Sequence, residues 1–558
     1  MDLIKLCDVT FQYDEGGQVI KNVSLSVGER DVVLLIGPTG SGKSTLLEIM
    51  AGVAPSVTGG EISGNAFIRD LDVLHNPGSA RGIVGLVLQD PEPQLVNLTV
   101  EDEIAFGPEN LLMSKEEVRA RVNWALSCCR LEGQRKAFVY ALSGGQKQRL
   151  AIAAGLAMKP EILLLDGPLT NLDPAGATEV LETIRDLIGK EVKTVVIASN
   201  KIDALLPLAT RIIVMNEGRV VVDSGPEDVL VNYRQELSDL GLFVPEVSRL
   251  WSVLGEKSIG MFPRTPEDLA GKLNLRKPFL ECTPKSIYQN GSTVVAEARD
   301  ICFSYGANQV LKGVSFQVKK GEFLAIVGQN GSGKSTLASI ICGLRQPKSG
   351  KMFVMGSDTS VVSPQRKVGY VFQYPEHQFV GRTVEEELRF GLANRMTVDE
   401  LDQRTESILG LIGMESRRDE SPYTLSVGAK RMLSVATMLM QRTPLLILDE
   451  PTTGLDQRLT ENLMEILMKF VVEHDMTVIQ VSHDMEQIAQ YCHLVVVIDQ
   501  GMVVFNSSPR KLFVNGVVHQ ARLEPPPVFK VARILFPDEI ELPITVDQFL
   551  KEVQYARV

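Results

Sequence analysis

The sequence predicts an α/β fold that occurs twice along one chain. Short apolar runs at 32–36, 162–165 and 195–198 are typical of buried parallel strands, and longer stretches of helical length separate them. A glycine-rich segment around Lys43 returns around Lys334. A chain of 558 residues has room for two such domains with smaller additions.

The two copies can be aligned residue by residue. Lys43 and Lys334 are 291 positions apart, whereas Gln89 and Gln373 are 284 positions apart. The first copy therefore contains extra residues between these points, and we expect them near 75–81. Beyond this segment the separation settles at 283, which is the distance from Asp166 to Asp449.

The repeat predicts a domain plan in which each copy has a β-rich N-terminal part, a helical subdomain and a small C-terminal appendage. Each copy also contains a predicted β-hairpin, at 211–223 and at 494–506. A stretch without sustained periodicity, rich in Pro, Gly, Ser and Asn, is predicted to link the copies. The predicted bounds are domain 1 at 1–230, appendage 1 at 231–275, linker at 276–294, domain 2 at 295–508 and appendage 2 at 509–558.

Composition and charge narrow the functional classes. The net charge of -12 argues against a protein that coats nucleic acid, so no direct nucleic-acid partner is expected. The seven cysteines form no C-x-x-C pair and are typical of thiols in a reducing compartment. No signal peptide is evident, and no run approaches the ~18 apolar residues of a membrane span. We therefore expect a cytosolic chain unless a partner holds it at a membrane.

The pattern G-x-x-x-x-G-K-S between a strand and a helix predicts a phosphate-binding loop in each copy. Its glycines let backbone N–H groups converge on phosphate oxygens, and the helix N-terminus adds positive potential. The lysines are expected to reach the β- and γ-phosphates, and Ser44 and Ser335 to ligate Mg²⁺. The predicted nucleotide-binding residues are Gly37, Pro38, Thr39, Gly40, Ser41, Gly42, Lys43, Ser44 and Thr45, then Gly328, Gln329, Asn330, Gly331, Ser332, Gly333, Lys334, Ser335 and Thr336.

An aspartate ends a later apolar run in each copy, Asp166 in the first and Asp449 in the second. A carboxylate at a strand end near a phosphate loop holds Mg²⁺ through water, which is the Walker B role. The order and distance of each aspartate relative to its loop favour this role over that of an ordinary turn residue.

The segment Leu142-Ser143-Gly144-Gly145-Gln146 lies shortly before Asp166. With this LSGGQ motif, the chain resembles the ATP-binding-cassette (ABC) ATPases over nearly all of both copies. In that family two P-loop NTPase domains pack head to tail, and each ATP lies between the phosphate loop of one domain and the signature motif of the other. The resemblance implies two ABC-type domains that pair within one chain, bind ATP and Mg²⁺, and hydrolyse ATP. The signature residues assigned to nucleotide are Ser143, Gly144, Gly145, Gln146, Ser426 and Gly428.

The same resemblance assigns further roles. Tyr13 and Tyr305 are expected to stack on adenine. Gln89 and Gln373 are expected beside Mg²⁺ and the attacking water. The implied Mg²⁺ ligands are therefore Ser44, Gln89, Asp166, Ser335, Gln373 and Asp449, and the implied catalytic residues are Glu450, His483 and Gln373.

The two ATP sites are not expected to be equivalent. The glutamate that polarises water in the family is present as Glu450, and the histidine at the γ-phosphate as His483. The aligned residues of the first copy are Gly167 and Asn200. Glycine has no carboxylate for general-base work, whereas asparagine still donates a hydrogen bond.

The second signature reads Leu425-Ser426-Val427-Gly428-Ala429, and we expect Val427 to fit poorly where a glycine-only backbone angle is needed. Head-to-tail pairing gathers all these changes at the site built on Lys43, which faces Ser426. The site built on Lys334 faces Ser143 and keeps the full set. The sequence thus predicts one degenerate and one complete site, unless another acidic residue replaces the missing glutamate.

The segments after the two glutamines indicate a subclass. Each copy carries Q-x-P-E-x-Q followed by T-V-E-x-E, at 89–103 and at 373–387. This pattern resembles the ATPases of energy-coupling-factor importers, which include the cobalt and nickel group and also take up vitamins. The resemblance implies two partners, a transmembrane coupling subunit and a substrate-binding membrane protein, with this chain at the cytoplasmic face of the cell membrane. Glu92 and Glu376 are the residues expected to matter for docking.

Two other classes remain open. One is a soluble tandem ABC protein that acts on ribosomes in translation; such proteins typically carry a long, charged, helical linker, which 276–294 does not resemble. The other is the ATPase subunit of another importer class, for sugars or peptides, which the paired Q-x-P-E-x-Q segments disfavour. The motifs do not specify a transported substrate.

Overall fold

The computed structural model describes residues 2–14, 17–170, 172–254, 262–273, 293–364, 367–392 and 395–554. Packing divides the chain into two compact units, Met1–Thr265 and Pro266–Val558. The predicted linker lies outside the described residues as far as residue 292, as do 255–261 and 274–275 of the predicted first appendage.

The strands of the first unit form an antiparallel sheet and a mainly parallel one. They are β1 (Asp2–Gln12), β2 (Gln18–Gly28), β3 (Val32–Ile36), β4 (Glu61–Ile68), β5 (Leu71–Asp72), β6 (Val84–Val87), β7 (Ile162–Asp166), β8 (Thr194–Ala198), β9 (Arg211–Asn216) and β10 (Arg219–Ser224). The antiparallel sheet has the order β2-β1-β4-β5, and the six-stranded sheet has the order β10-β9-β3-β8-β7-β6.

The helices of the first unit surround the six-stranded sheet and form a separate helical subdomain. They are α1 (Lys43–Met50), α2 (Val100–Asn110), α3 (Lys115–Cys128), α4 (Gly144–Leu156), α5 (Pro174–Leu187), α6 (Ile202–Leu205), α7 (Pro226–Asn232), α8 (Arg234–Asp239) and α9 (Glu246–Leu254). Helices α2, α3 and α4 pack on one another and make up the subdomain.

The second unit repeats this plan. It begins with α10 (Pro266–Lys272), and its strands are β11 (Val294–Tyr305), β12 (Asn308–Lys319), β13 (Phe323–Val327), β14 (Ser349–Val354), β15 (Ser357–Asp358), β16 (Val368–Val371), β17 (Leu445–Asp449), β18 (Thr477–Val481), β19 (Leu494–Asp499) and β20 (Met502–Ser507). The sheet orders are β12-β11-β14-β15 and β16-β17-β18-β13-β19-β20, which match those of the first unit.

The later helices of the second unit include a helical subdomain and a C-terminal group. They are α11 (Lys334–Ile341), α12 (Val384–Arg389), α13 (Val398–Ile412), α14 (Val427–Met440), α15 (Gln457–His474), α16 (Met485–Tyr491), α17 (Pro509–Val514), α18 (Val517–Gln520), α19 (Pro527–Leu535) and α20 (Val546–Gln554). Helix α10 packs against α19, so the last helix of the predicted first appendage joins the second unit. No helix among the described residues is long and apolar enough to cross a membrane.

The central strands are buried on both faces, as their apolar runs predict. In β3, Val33 and Leu35 face one hydrophobic core, while Leu34 and Ile36 face the other. Alternate side chains of a strand point to opposite faces, so a strand covered on both sides must be apolar throughout. Strand β3 pairs in parallel with β8 and β9, which confirms the predicted α/β architecture.

The two predicted hairpins are confirmed. Strand β9 turns into β10 through Glu217 and Gly218, with φ of 46° and 81°. Strand β19 turns into β20 through Gln500 and Gly501, with φ of 47° and 83°. Two successive left-handed residues match the twist of antiparallel strands, which is why a glycine occupies the second position.

The expected position of the extra residues in the first copy is largely wrong. Ile68 comes 18 positions after Met50, whereas its counterpart Val354 comes 13 positions after Ile341. Most of the insertion therefore lies between α1 and β4, in a surface turn where the chain tolerates added length. Only the remaining extra residues of the first copy can lie in the predicted segment, 75–81.

Candidate active site

The predicted site residues of the second copy follow the carboxyl ends of parallel strands. The phosphate loop follows β13, Asp449 ends β17, and His483 comes two residues after β18. These strands are neighbours in the sheet, so their carboxyl ends lie along one edge, where α/β proteins bind ligands. The first copy places its corresponding residues in the same way on β3, β7 and β8.

Each phosphate loop is folded around its own lysine. The Lys334 Nζ donates to the carbonyls of Gly328 at 2.8 Å and Gln329 at 2.9 Å. The Lys43 Nζ donates to the carbonyls of Gly37 at 2.7 Å and Pro38 at 2.9 Å. Both ammonium groups are thus held within the curve of the loop, where phosphate oxygens bind in this motif.

The oxygen donors expected for Mg²⁺ come together in the second copy. The Ser335 hydroxyl donates to Asp449 Oδ1 at 3.4 Å, and the Tyr370 hydroxyl donates to Oδ2 at 3.1 Å. Burial raises the pKa of Asp449, and these two hydrogen bonds oppose the rise. A hydroxyl beside a carboxylate suits Mg²⁺, which prefers hard oxygen ligands and completes its shell with water and phosphate oxygens.

The first copy keeps this arrangement in part. Burial raises the pKa of Asp166, while the Ser44 hydroxyl and the Lys43 ammonium oppose the rise. The position of Tyr370 is occupied here by Leu86, which has no hydroxyl. Sequence reasoning missed Tyr370; the signal is a single hydroxyl within a strand whose other side chains are apolar or glycine.

Glu450 and His483 form a pair beside Asp449. The His483 Nδ1 lies 3.0 Å from Glu450 Oε1, and the Thr453 hydroxyl donates to Oε2 at 3.4 Å. Both contacts fix the orientation of a carboxylate that is mostly buried. Such an oriented carboxylate can accept a proton from a water molecule that attacks phosphorus.

One cavity of about 350 Å³ collects most of the predicted residues of the second copy. Its lining includes the phosphate loop, the glutamine after β16, and the two acidic residues Asp449 and Glu450 at the end of β17. The predicted residues in the lining are Tyr305, Asn330, Gly331, Gly333, Lys334, Ser335, Thr336, Gln373, Asp449 and Glu450, and those not predicted are Asn308, Val310 and Val481. The cavity is suited to holding a nucleoside triphosphate next to the Glu450 carboxylate, which can accept a proton.

The two tyrosines proposed for adenine have different surroundings. The Tyr13 hydroxyl lies 3.0 Å from Thr45 Oγ1 and donates to Glu48 Oε2 at 3.2 Å, which holds its half-buried ring at helix α1. The Tyr305 ring is more exposed, and the Arg345 guanidinium carbon lies 4.9 Å from its centroid. A base that stacks on Tyr305 therefore shares the ring with a cation, and stacking at both rings stays a prediction.

The first copy lacks the pair formed by Glu450 and His483. Gly167 has a φ of 51°, close to the 50° of Glu450, so its backbone takes the same path. A Cβ at Gly167 would lie 2.8 Å from Thr170 Oγ1 and 3.0 Å from Gln89 Cγ. Asn200 has a buried Oδ1 without a hydrogen-bond partner among the described residues. A side chain at residue 167 would therefore require Thr170 and Gln89 to shift.

The signature motifs stand at the starts of α4 and α14. The Ser143 hydroxyl accepts from Gln146 N, and Gln146 Oε1 accepts from Ser143 N at 2.9 Å. In the second copy, Ser426 accepts from Ala429 N at 3.4 Å, but Ala429 has no side-chain oxygen to return the bond. The loss of Gln at this position therefore weakens the cap of α14.

The expectation that Val427 fits poorly is wrong. Its counterpart Gly144 is the first residue of α4 and does not have a left-handed backbone angle. A Cβ there would meet only Leu172 Cδ2, at the ordinary distance of 3.5 Å. A helical position accepts valine, so Val427 starts α14 without strain and presents its side chain to solvent.

Comparison with known proteins places these features in a family. The profile of the ABC transporter family matches residues 20–170 and 311–453. A protein of Methanosarcina acetivorans, provisionally named an ABC transporter ATP-binding protein, is 35% identical over 543 residues, covering 92% of this chain and 88% of the relative. A Bacillus subtilis protein, provisionally named HMP/thiamine import ATP-binding protein YkoD, is 33% identical and covers 95% of this chain and 96% of its own length.

Among solved structures, CbiO1 from Clostridium perfringens, described as part of the ABC transporter complex cbiONQ, is 29% identical. It covers 41% of this chain and 95% of its own, with a TM-score of 0.38. The family profile and the full-length relatives confirm what the two phosphate loops and the LSGGQ motif indicate. This chain belongs to the ABC transporter family, as a tandem ATP-binding protein with two ABC-type P-loop domains that hydrolyses ATP.

Proposed function

We propose that this chain is the energy-coupling ATPase subunit of a micronutrient importer of the energy-coupling-factor type, with one complete and one degenerate ATP site. The observation that carries the catalytic part is the Glu450–His483 pair, which lies beside Asp449 and has no counterpart in the first copy. The paired Q-x-P-E-x-Q segments and the import function in the name of the Bacillus subtilis relative support the importer part.

The second copy supplies the hydrolytic machinery. Backbone N–H groups of its loop and Lys334 would hold the phosphates. Ser335 and Asp449 would hold Mg²⁺, which would neutralise phosphate charge when bound. Glu450 orients the attacking water and accepts its proton, and His483 keeps the Glu450 carboxylate in place. In head-to-tail pairing, the Ser143 signature of the first copy closes this site from the opposite side.

The first copy supplies a binding site that turns over slowly. Lys43, Ser44 and Asp166 keep the contacts expected for the phosphates and Mg²⁺. Without a carboxylate at residue 167, the first copy has no equivalent of the group that takes the proton from water in the second copy. ATP at this site therefore acts as a clamp between the halves.

The membrane partners are a transmembrane coupling subunit and a substrate-binding protein, with this chain at the cytoplasmic face of the cell membrane. Exposed apolar side chains follow each Q-x-P-E-x-Q segment, with Val96 and Leu98 in the first copy and Val380 in the second. Each apolar surface lies next to a glutamine that is expected at the nucleotide. Such a surface is suited to binding a partner helix that is displaced when ATP closes the two copies.

Glu92 and Glu376 are less suitable as docking probes than the sequence suggests. Glu376 forms an ion pair of 3.0 Å with Lys430 of α14, and Glu92 forms the equivalent pair with Lys147 of α4. Charge reversal at either glutamate would disturb its own subdomain as well as any partner. Exposed apolar residues separate the two effects.

Substitution Glu450→Gln tests the catalytic assignment. We expect ATP turnover to fall by about 100-fold or more while ATP binding persists, because an amide cannot accept the proton of the attacking water. Steady-state ATPase assays and equilibrium nucleotide binding measure the two effects. Asn200→Ala, at the position aligned with His483, is the matched control and should leave turnover within about twofold of the unmodified chain. A Glu450→Gln chain with half the normal turnover would overturn the assignment.

Substitution Gly167→Glu tests whether the degenerate site lacks more than a carboxylate. Introduced into the Glu450→Gln chain, it should restore less than about a tenth of normal turnover, since Asn200 replaces the histidine that orients the glutamate. Single-turnover assays with radiolabelled ATP provide the measurement. Recovery of near-normal turnover would show that the missing carboxylate is the whole defect.

Nucleotide stoichiometry tests the clamp. The Glu450→Gln chain should bind two ATP per chain, because both phosphate loops keep their lysine and serine. Adding Lys43→Ala or Lys334→Ala should each reduce the value to one, as measured by equilibrium dialysis. A stoichiometry of one before the lysine substitutions would contradict binding at the first copy.

Substitution Leu98→Asp tests docking, since 71% of this side chain is exposed beside the first Q-x-P-E-x-Q segment. We expect it to abolish co-purification with membrane subunits. The ATPase rate of the isolated chain should stay within about twofold, because Leu98 takes part in none of the ATP-site contacts found among the described residues. Val57→Asp, in the turn between α1 and β4 and 79% exposed, is the control and should retain the partners. A chain that sediments with ribosomes and finds no membrane partner would favour the translation class.

A further inference from the structure

A cavity separate from the nucleotide site lies in the helical subdomain of the second unit. Its volume is about 490 Å³, which is within the range of small-molecule sites. It shares no lining residue with the cavity that contains Lys334. Arg442 precedes β17, whereas Asp449 ends that strand, so the two cavities lie toward opposite edges of the sheet. The polar side chains of the lining are Arg395, Glu400, Gln403, Arg404, Ser407 and Arg442.

Three arginines from separate segments form part of this wall. Arg395 lies between α12 and α13, Arg404 is on α13, and Arg442 follows α14. The Arg404 Nη2 donates to the Leu439 carbonyl at 3.1 Å, and the Arg395 Nη1 donates to Gln441 Oε1 at 3.2 Å. Both bonds hold a guanidinium group at the C-terminal end of α14, where Arg442 follows in the chain. The cluster is therefore a product of the packing of α13 against α14.

The positive charge of this cluster is not neutralised within the part of the chain that the structure describes. None of the three arginines forms an ion pair with a described residue, and their hydrogen bonds go to uncharged groups. The carboxylate in the lining, Glu400, accepts from the Thr397 amide and hydroxyl, both at 3.0 Å, and so caps α13. Asp402 and Glu406 of α13 form ion pairs with other arginines. The cavity thus keeps guanidinium donors for a ligand from outside the chain.

The close approach of like charges is unfavourable without an anion. Burial and the charge of Arg442 lower the pKa of Arg404 to about 10, so this side chain is still a cation at neutral pH. An anion between the guanidinium groups relieves their repulsion. Guanidinium groups match phosphate oxygens in planar, bidentate hydrogen bonds, and Gln403 and Ser407 add uncharged donors to the same wall.

The first copy has a different arrangement at the aligned positions, 283 residues earlier. Trp124 stands where the second copy has Ser407, and a leucine stands where it has Arg395. The Lys159 ammonium, at the position of Arg442, lies 5.4 Å from the centroid of the Trp124 ring. The first copy therefore has one arginine fewer and a cation that packs on an aromatic ring.

We propose that the arginine cavity of the second copy binds a phosphorylated anion, whose phosphate oxygens accept hydrogen bonds from Arg395, Arg404 and Arg442. The lining carries three positive charges and one negative charge, which leaves an excess of two. A phosphate group at neutral pH carries about two negative charges, whereas a carboxylate carries one. A soluble phosphate compound and the headgroup of an anionic lipid both present this chemistry.

Isothermal titration calorimetry with inorganic pyrophosphate tests the cavity in a chain whose phosphate loops carry Lys43→Ala and Lys334→Ala. We expect one pyrophosphate per chain. Arg442→Gln should weaken binding by about tenfold or more, because it removes a charge-assisted donor group. Ser407→Trp should abolish binding, because it fills the cavity with the ring that the first copy carries. Lys159→Gln, at the position aligned with Arg442, is the matched control and should leave affinity within about twofold, while thermal unfolding confirms that each variant is folded.

Vesicle sedimentation identifies the source of the phosphate group. For a lipid ligand, vesicles of phosphatidylglycerol should sediment the unmodified chain but not Arg442→Gln, and vesicles of phosphatidylcholine should sediment neither. For a soluble ligand, only the calorimetric binding should depend on Arg442. Absence of Arg442-dependent binding in both assays would overturn the proposal, as would equal losses in Arg442→Gln and Lys159→Gln. Neither assay involves ATP turnover or a membrane subunit, so failure of the proposed function would leave both results unchanged.

Discussion

The close approach of each phosphate loop to a neighbouring strand is the constraint on which the sites depend. A Cβ at Gly37 would lie 2.3 Å from the Met215 carbonyl, and one at Gly328 would lie 2.1 Å from the Ile498 carbonyl. Only glycine fits at such distances, so the loop can press against the edge of the sheet. This contact directs the loop around its lysine and starts the following helix at that lysine. The other nucleotide contacts are arranged around this fixed element.

Both copies satisfy this constraint, and their site residues differ only at positions where a substitution does not disturb the fold. The changed residues follow strand ends or start a helix, at Gly167, Asn200, Val427 and Ala429. Gly167 and Asn200 do not belong to the described apolar clusters on either side of the first sheet, and Val427 is exposed. A copy can therefore lose hydrolytic side chains and keep its architecture, since the core and the loop determine the fold.

The sequence predicts the features that depend on local pattern. The buried strands, both hairpins and the paired phosphate loops follow from apolar runs and from glycine positions, and the structure has them there. The location of the insertion could not be predicted, because a surface turn imposes no pattern on its residues. Val427 was misjudged because sequence identity does not reveal whether a glycine is left-handed or helical. Tyr370 was missed because its partner, the carboxylate of Asp449, is distant in the sequence and comes close only in the fold.

The linked replacement of glutamate and histidine has a physical reason in the backbone. Glu450 has a φ of 50°, a left-handed angle that costs a residue with a side chain roughly 1 kcal/mol and glycine almost nothing. The second copy offsets this strain with the hydrogen bonds that hold the carboxylate, from His483 and Thr453. Without the histidine, a largely buried carboxylate would lose a principal partner while the strain remained. Glycine at residue 167 removes both the strain and the unpaired charge. Gly167 therefore takes the same backbone angle as Glu450 at a lower conformational cost, and the first copy keeps the phosphate loop that its fold requires.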